Sequence, residues 1–225
     1  MLLLLYTLII YFGASLASGL FLCAERLTAG QSLIKPKSHC TVCQHPLCWW
    51  QLLPLISYPL LRGHCYYCAT PIPLAAWVSE IIGGFLGLFI WLTAAAPSFT
   101  GLLFAGLFLF SWIDIKQRIL LPVLFWPWLI TLLLLPHEPL HLTAMLLLVS
   151  GLGLFAYFSR GLGSGDVQLL AGIGLLYGFN STIQILLFAC LLAIGGHAFY
   201  QHKTIPFIPY LSLGIWLQQL LTFLH

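Results

Sequence analysis

Apolar stretches almost free of charge recur along this sequence, most of them near the roughly 20 residues that a helix needs to cross the hydrocarbon core of a bilayer and two of them shorter. They cover residues 1–22, 74–95, 100–113, 119–135, 140–158, 167–179, 183–200 and 205–224. Such a pattern leaves no route to a water-soluble globule. Of the 225 residues 61% are hydrophobic and 6% charged, whereas an ordinary soluble domain carries roughly a quarter charged residues. Disorder is excluded for the opposite reason, since apolar material is abundant. The expected fold is an all-α polytopic membrane protein with about eight transmembrane helices, and its first partner is the lipid bilayer. A net charge of +3, spread thinly, gives no footprint for nucleic acid. The start, Met1-Leu-Leu-Leu-Leu5, lacks the basic region of a cleaved signal peptide, so 1–22 is expected to be a retained first span.

The few charges orient the chain. With the amino terminus outside, the inner loops are 23–73, 114–118, 159–166 and 201–204. They hold Arg26, Lys35, Lys37, Arg62, Lys116, Arg118, Arg160 and Lys203, which are all 8 Lys+Arg of the sequence. The outer loops hold Glu138, Asn180 and Ser181. Such an asymmetry sets orientation through the positive-inside rule. The expectation is both termini periplasmic and the long loop cytoplasmic. Three regions follow: a first span at 1–22, a polar loop at 23–73 and a seven-helix membrane domain at 74–225.

The polar loop carries six of the 7 cysteines. It reads Cys40-Thr-Val-Cys43, then 21 residues, then Cys65-Tyr-Tyr-Cys68. Each CxxC turn offers two thiolates on one side, and two such turns close a tetrahedral zinc site. A segment this short and polar cannot bury enough core to fold unaided, and a structural zinc supplies the missing stabilisation. A reducing cytoplasm argues against disulfides. His39, His45 and His64 stand near the thiols, but the four cysteines already complete a site. Cys23, Cys48 and Cys190 are expected to be packing residues.

The sequence has only two aspartates, Asp114 and Asp166. Both are expected at the cytoplasmic ends of spans, on different helices. Asp166 follows Gly161-Leu-Gly163-Ser-Gly165, where glycines permit backbone conformations closed to other residues and a close approach of a substrate strand. Two carboxyls meeting at one depth share a proton; the ionised partner activates water and the protonated one polarises a carbonyl, as in an aspartic protease. The structural alternatives are a helix N-cap for Asp166 and an ion pair of Asp114 with Lys116 or Arg118. A membrane scaffold with a zinc loop and a proton-coupled transporter also use such parts, although a transporter places its carboxylates near the midplane.

A first span entering from outside, a CxxC…CxxC loop, an Asp after the third span and Gly163-Ser-Gly165-Asp166 before the sixth together resemble the type IV prepilin peptidases, members of the GxGD aspartic proteases. The segment from Trp50 to Cys65 resembles the family's stretch between its cysteine pairs, and Ile205-Pro206-Phe207-Ile-Pro209 resembles the start of its last span. The resemblance implies that Asp114 and Asp166 form the catalytic dyad, with Gly163 and Gly165 in the active-site motif. It implies a prepilin or type II secretion pseudopilin as substrate, cleaved after the Gly that ends a short basic leader, at the bacterial inner membrane. It further implies S-adenosylmethionine as methyl donor for the new amino terminus. Two positions depart from the family pattern: Val123 stands where an acid usually follows Leu-Pro, and Gln168 where a Lys usually stands two positions after the second Asp. A relative that is catalytically impaired, or retains only methyl transfer, is the alternative these departures suggest.

Overall fold

A computed structural model of the protein describes residues 1–34, 38–136, 139–159, 163–199 and 205–224. Of the residues used to orient the chain, Lys35, Lys37, Glu138, Arg160 and Lys203 lie outside the described residues.

Among the described residues helix is the only regular structure of any length. In chain order the helices are α1 (Leu2–Thr28), the short α2 (Ser57–Leu60), α3 (Leu74–Thr93), α4 (Pro97–Gln117), α5 (Pro122–Leu134), α6 (Leu142–Ser159), α7 (Ser164–Phe199) and α8 (Ile208–Leu224). Among the described residues α1, α3, α4 and α7 are long and apolar enough to cross a membrane. The remaining apolar helices, α5, α6 and α8, are shorter; α5, with 13 residues, is about 20 Å long at 1.5 Å per residue.

Two helices depart from the sequence expectation for identifiable reasons. α1 runs on to Thr28 rather than stopping near Leu22. The buried Arg26 within that extension donates from its guanidinium to the carbonyls of Leu33 (3.0 Å) and Ser32 (3.3 Å), so its charge does not break the helix. The turn expected near Asn180 and Ser181 falls earlier: helical dihedrals fail at Gly178 (φ 78°, ψ 173°), and both polar residues lie in the helix that resumes after it. Only glycine takes that conformation readily. The His141 backbone N–H donates to the Leu175 carbonyl beside the break at 2.9 Å.

The chain divides into two units, Met1–Pro97 and Ser98–His225. In the first, α1 packs along α3 through small residues. A Cβ on Gly83 would lie 2.5 Å from the Gly13 carbonyl oxygen and would overlap Ala17, so the close approach depends on the missing side chain. Without a hydrophobic drive between helices in lipid, such backbone approach is the main source of their association. The contact also has a polar part. Glu80 of α3, 8% exposed, accepts from the Ser18 hydroxyl of α1 at 2.8 Å and from the Leu55 backbone N–H at 2.8 Å. The Trp77 indole N–H donates to the Leu55 carbonyl at 3.3 Å, and its ring stacks on Tyr58 with centroids 5.2 Å apart. Leu55 is held at both ends in a left-handed conformation (φ 65°), which is unfavourable for a branched side chain.

In the second unit, α4 and α5 share an aromatic core. Phe110 packs edge-on against Trp128 (5.2 Å), and Trp128 donates its indole N–H to the Leu102 carbonyl at 2.9 Å. α7 packs on α6 and on α8. A Cβ on Gly214 of α8 would lie 2.6 Å from the Ile185 carbonyl oxygen of α7, so this close approach depends on the missing side chain.

Candidate active site and metal centre

The first unit contains two turns built on one plan. In the first, the Cys40 N–H donates to the His45 carbonyl (3.0 Å), the Gln44 N–H to the Cys40 carbonyl (2.9 Å) and the Leu47 N–H to the Ser38 carbonyl (3.0 Å). In the second, Cys65 donates to Thr70 (2.8 Å), Ala69 to Cys65 (3.0 Å) and Ile72 to Gly63 (2.7 Å). The spacing of every bond is the same. Gln44 (φ 59°) and Ala69 (φ 55°) are the left-handed residues at equivalent places, and His39↔Pro46 and His64↔Pro71 are the equivalent bridges. A CxxC sequence folded this way aims both thiols to one side.

The two turns face each other, and the sulfurs of Cys40, Cys43, Cys65 and Cys68 lie within 4.8 Å of one another. The Cys40 and Cys68 sulfurs are 3.7 Å apart. A tetrahedron with metal–sulfur bonds of about 2.3 Å has an edge of about 3.8 Å, so this donor set fits a zinc-sized, thiophilic cation. The thiols differ in acidity. The Thr70 hydroxyl and backbone N–H draw the Cys68 thiol down to about 6, and the Cys43 and Val42 backbone N–H groups lower Cys40. Cys43 is pulled down by the His45 N–H but pushed up further by desolvation and by the three neighbouring thiols, to about 11. A bound dication would stabilise all four as thiolates. Among the described residues no histidine joins this cluster: His45 lies against the Tyr67 ring (3.7 Å) and the His64 ring bonds the Arg62 carbonyl (2.7 Å). Cys48 and Cys190, expected to be packing residues, are exposed instead, with the Cys48 sulfur 3.5 Å from the Tyr67 hydroxyl.

The two aspartates belong to the second unit. Asp114 occupies the last turn of α4, which ends where the Arg118 N–H returns to the Asp114 carbonyl (2.9 Å) and Arg118 turns left-handed (φ 56°). The joint to α5 is short, and Pro122 stands at the start of α5, where its missing N–H costs nothing. Within that joint Leu120 seats on Gly165: a Cβ there would lie 2.6 Å from the Leu120 Cβ. This contact brings the N-terminus of α7 to the end of α4. Asp166 is the third residue of α7 and not its N-cap. Its N–H and that of Val167 bond the Gly163 carbonyl at 3.1 and 3.3 Å. Its carboxylate folds back to accept the Gly163 N–H, and a Cβ on Gly163 would stand 3.2 Å from Oδ2.

α8 is the third element at this place. The Ile208 N–H, first in α8, donates to Asp114 Oδ2 at 3.0 Å, and the Phe207 N–H bonds the same carboxylate. Asp114 is 6% exposed, and both Asp166 and Arg118 lie within electrostatic reach of it. Each carboxyl thus meets the amino end of a helix, where backbone N–H groups and the dipole favour negative charge. Gly163 and Gly165 are not among the positive-φ glycines. They serve close approach, by Leu120 and by the Asp166 carboxyl, rather than unusual backbone dihedrals. Val123 is 82% exposed on the first turn of α5, and Gln168, two residues after Asp166, is half-buried; Arg118 is a cation within electrostatic reach of Asp114. The Ile208 N–H had no signal in the sequence, because backbone donors carry no residue code.

A profile for the Bacterial Peptidase A24 N-terminal domain matches residues 11–94, and one for the Type IV leader peptidase family matches residues 101–196. A protein of Burkholderia pseudomallei is 33% identical over 218 residues, covering 85% of this chain and 70% of its own. The chain belongs to the type IV leader peptidase family. A Pseudomonas aeruginosa relative is 31% identical, with 86% of this chain and 74% of the relative covered. One from Aeromonas salmonicida is 29% identical, with 83% and 72% covered. All three are called prepilin leader peptidase/N-methyltransferase. No solved structure matches the chain significantly. Family membership supports a protease that processes prepilins.

Proposed function

We propose that this family member is an intramembrane aspartic endopeptidase that removes the short basic leader from type IV prepilins or type II secretion pseudopilins at the cytoplasmic membrane face. Asp114 and Asp166 are the catalytic pair. What carries the reading is that the chain's two aspartates, far apart in sequence and on different helices, stand within electrostatic reach of each other inside one unit. In the proposed pair the two carboxyls share one proton. In the proposed reaction one carboxylate takes a proton from water as it attacks the carbonyl of the Gly ending the leader. The other donates its proton to the carbonyl oxygen. As the tetrahedral intermediate collapses, the first passes the proton taken from water to the leaving amine, and the second recovers its own from the intermediate's hydroxyl. Glycine suits the cleaved position because a helical carbonyl is already bonded and shielded, and glycine leaves the helix most easily.

The membrane arrangement proposed is eight spans with both termini periplasmic and the cysteine-rich loop cytoplasmic. The break at Gly178, dividing α7 at 164–177 and 179–199, and the confinement of basic residues to the inner loops support it. In the first unit Cys40, Cys43, Cys65 and Cys68 hold a structural zinc, which joins the two turns and takes no part in cleavage. Methylation of the new amino terminus from S-adenosylmethionine, which the relatives' name adds, is proposed as a separate step. The test is incubation of the purified protein with a prepilin, followed by mass measurement of both products. Loss of the leader at the Gly bond is expected, and the mass of an added methyl group reads out the second step. An intact prepilin after prolonged incubation with a folded, zinc-loaded protein would refute the assignment.

A further inference from the structure

The Ile208 and Phe207 N–H groups bond Asp114 where α4 ends and α8 begins, but contacts gathered at one carboxylate leave the rotation and axial register of the two helices loose. A second contact lies one turn away on each helix. Ser111 precedes Asp114 by one turn of α4, Ser212 follows Ile208 by one turn of α8, and their hydroxyl oxygens are 3.0 Å apart. Each hydroxyl also reaches a carbonyl of its own helix, Ser111 that of Leu107 at 2.7 Å and Ser212 that of Ile208 at 2.9 Å. A serine has one proton to donate and two lone pairs to offer. One hydroxyl therefore donates to its own helix while accepting from the other. The result is a closed ring of contacts: Asp114 to the Ile208 N–H, the Ile208 carbonyl to Ser212, Ser212 to Ser111, and α4 back to Asp114.

We infer that Ser111 and Ser212 are positioning residues, which lock the α4–α8 register so that the amino end of α8 stays seated on the Asp114 carboxylate. Both side chains are half-buried in apolar helices, where few competing partners exist for a hydroxyl. With Ser212 holding its carbonyl side and Asp114 its N–H, the Ile208 residue is fixed at both ends. The serine hydroxyls bond each other and carbonyls of their own helices, so in this reading they act on cleavage through the seating of the Asp114 carboxylate. The inference rests on the reading of Asp114 as a catalytic carboxylate.

The experiment measures prepilin cleavage by the full-length protein and by Ser111→Ala, Ser212→Ala, the double variant, and Ser212→Thr. A misplaced catalytic group loses rate steeply with displacement. Each alanine variant is expected to lose on the order of tenfold in kcat with KM unchanged. The double variant should lose no more than either single one, because one link is broken once. Threonine, which keeps the hydroxyl, should recover most of the rate. Wild-type kcat in the alanine variants would overturn the inference. So would losses that multiply in the double variant, or a fall in thermal stability with kcat per folded molecule unchanged. Failure of the wild-type protein to cleave prepilin would instead overturn the proposed function.

Discussion

Replacing Gly165 by Ala tests how the second unit places Asp166. The added Cβ would stand 2.6 Å from the Cβ of Leu120 and 3.4 Å from its backbone nitrogen. Carbons in contact rest about 3.5–4.0 Å apart, so the start of α7 and the α4–α5 joint must separate by about 1 Å. Neither side can yield by turning a side chain, since a Cβ moves only with its backbone. Overpacking of this kind costs about 1–3 kcal/mol of stability. The larger effect falls on chemistry: Asp166 sits one residue beyond Gly165, and a 1 Å misplacement of a catalytic group costs on the order of 100-fold, or about 2.7 kcal/mol of barrier. Single-turnover cleavage of a prepilin, normalised to folded protein, should show that loss with Gly165→Ala. Cleavage within about threefold of wild type, which corresponds to less than about 0.7 kcal/mol, would refute the claim that the Leu120–Gly165 contact sets the position of Asp166.

Two further outcomes concern the first unit. Glu80→Ala removes the acceptor for both the Ser18 hydroxyl and the Leu55 N–H; with a buried donor left unpaired this costs about 1–3 kcal/mol. Limited proteolysis between residues 53 and 58 should accelerate roughly tenfold or more, whereas an unchanged rate would mean that Glu80 does not hold the segment. For the cysteine cluster, one zinc per chain is expected, with Cys40, Cys43, Cys65 and Cys68 protected from alkylation until a chelator is added. Equal alkylation rates with and without chelator would remove the metal centre.

How much of this the sequence discloses follows from the range of the interactions. The paired turns at Cys40 and Cys65 close within eight or nine residues, so their spacing alone displays them. The apolar runs are equally legible, because a helix in lipid satisfies its own backbone and leaves hydropathy as the main signal. Helix ends are less so. The sequence ends the first span before the charge of Arg26, but carbonyls of the following loop accept its donors and α1 continues. The polar Asn180 and Ser181 suggest a turn that Gly178 makes instead. The long-range ties are not legible. Glu80 finds Ser18 across 62 residues, and Asp114 finds a backbone N–H across 94. Nothing in the sequence around either residue specifies its partner. Both glycines of the Gly163-Ser-Gly165 motif were legible as special positions. Their physical use was not, because close approach depends on Leu120 from another part of the chain.

The dyad is tested most directly by prepilin cleavage with Asp114→Asn and Asp166→Asn, each exchanging a carboxyl for an amide of nearly the same shape. Both proteins are expected to insert and to load zinc like the wild type, and mass measurement should find the leader still attached in each case. Removal of the leader at the wild-type rate by either variant would contradict the account.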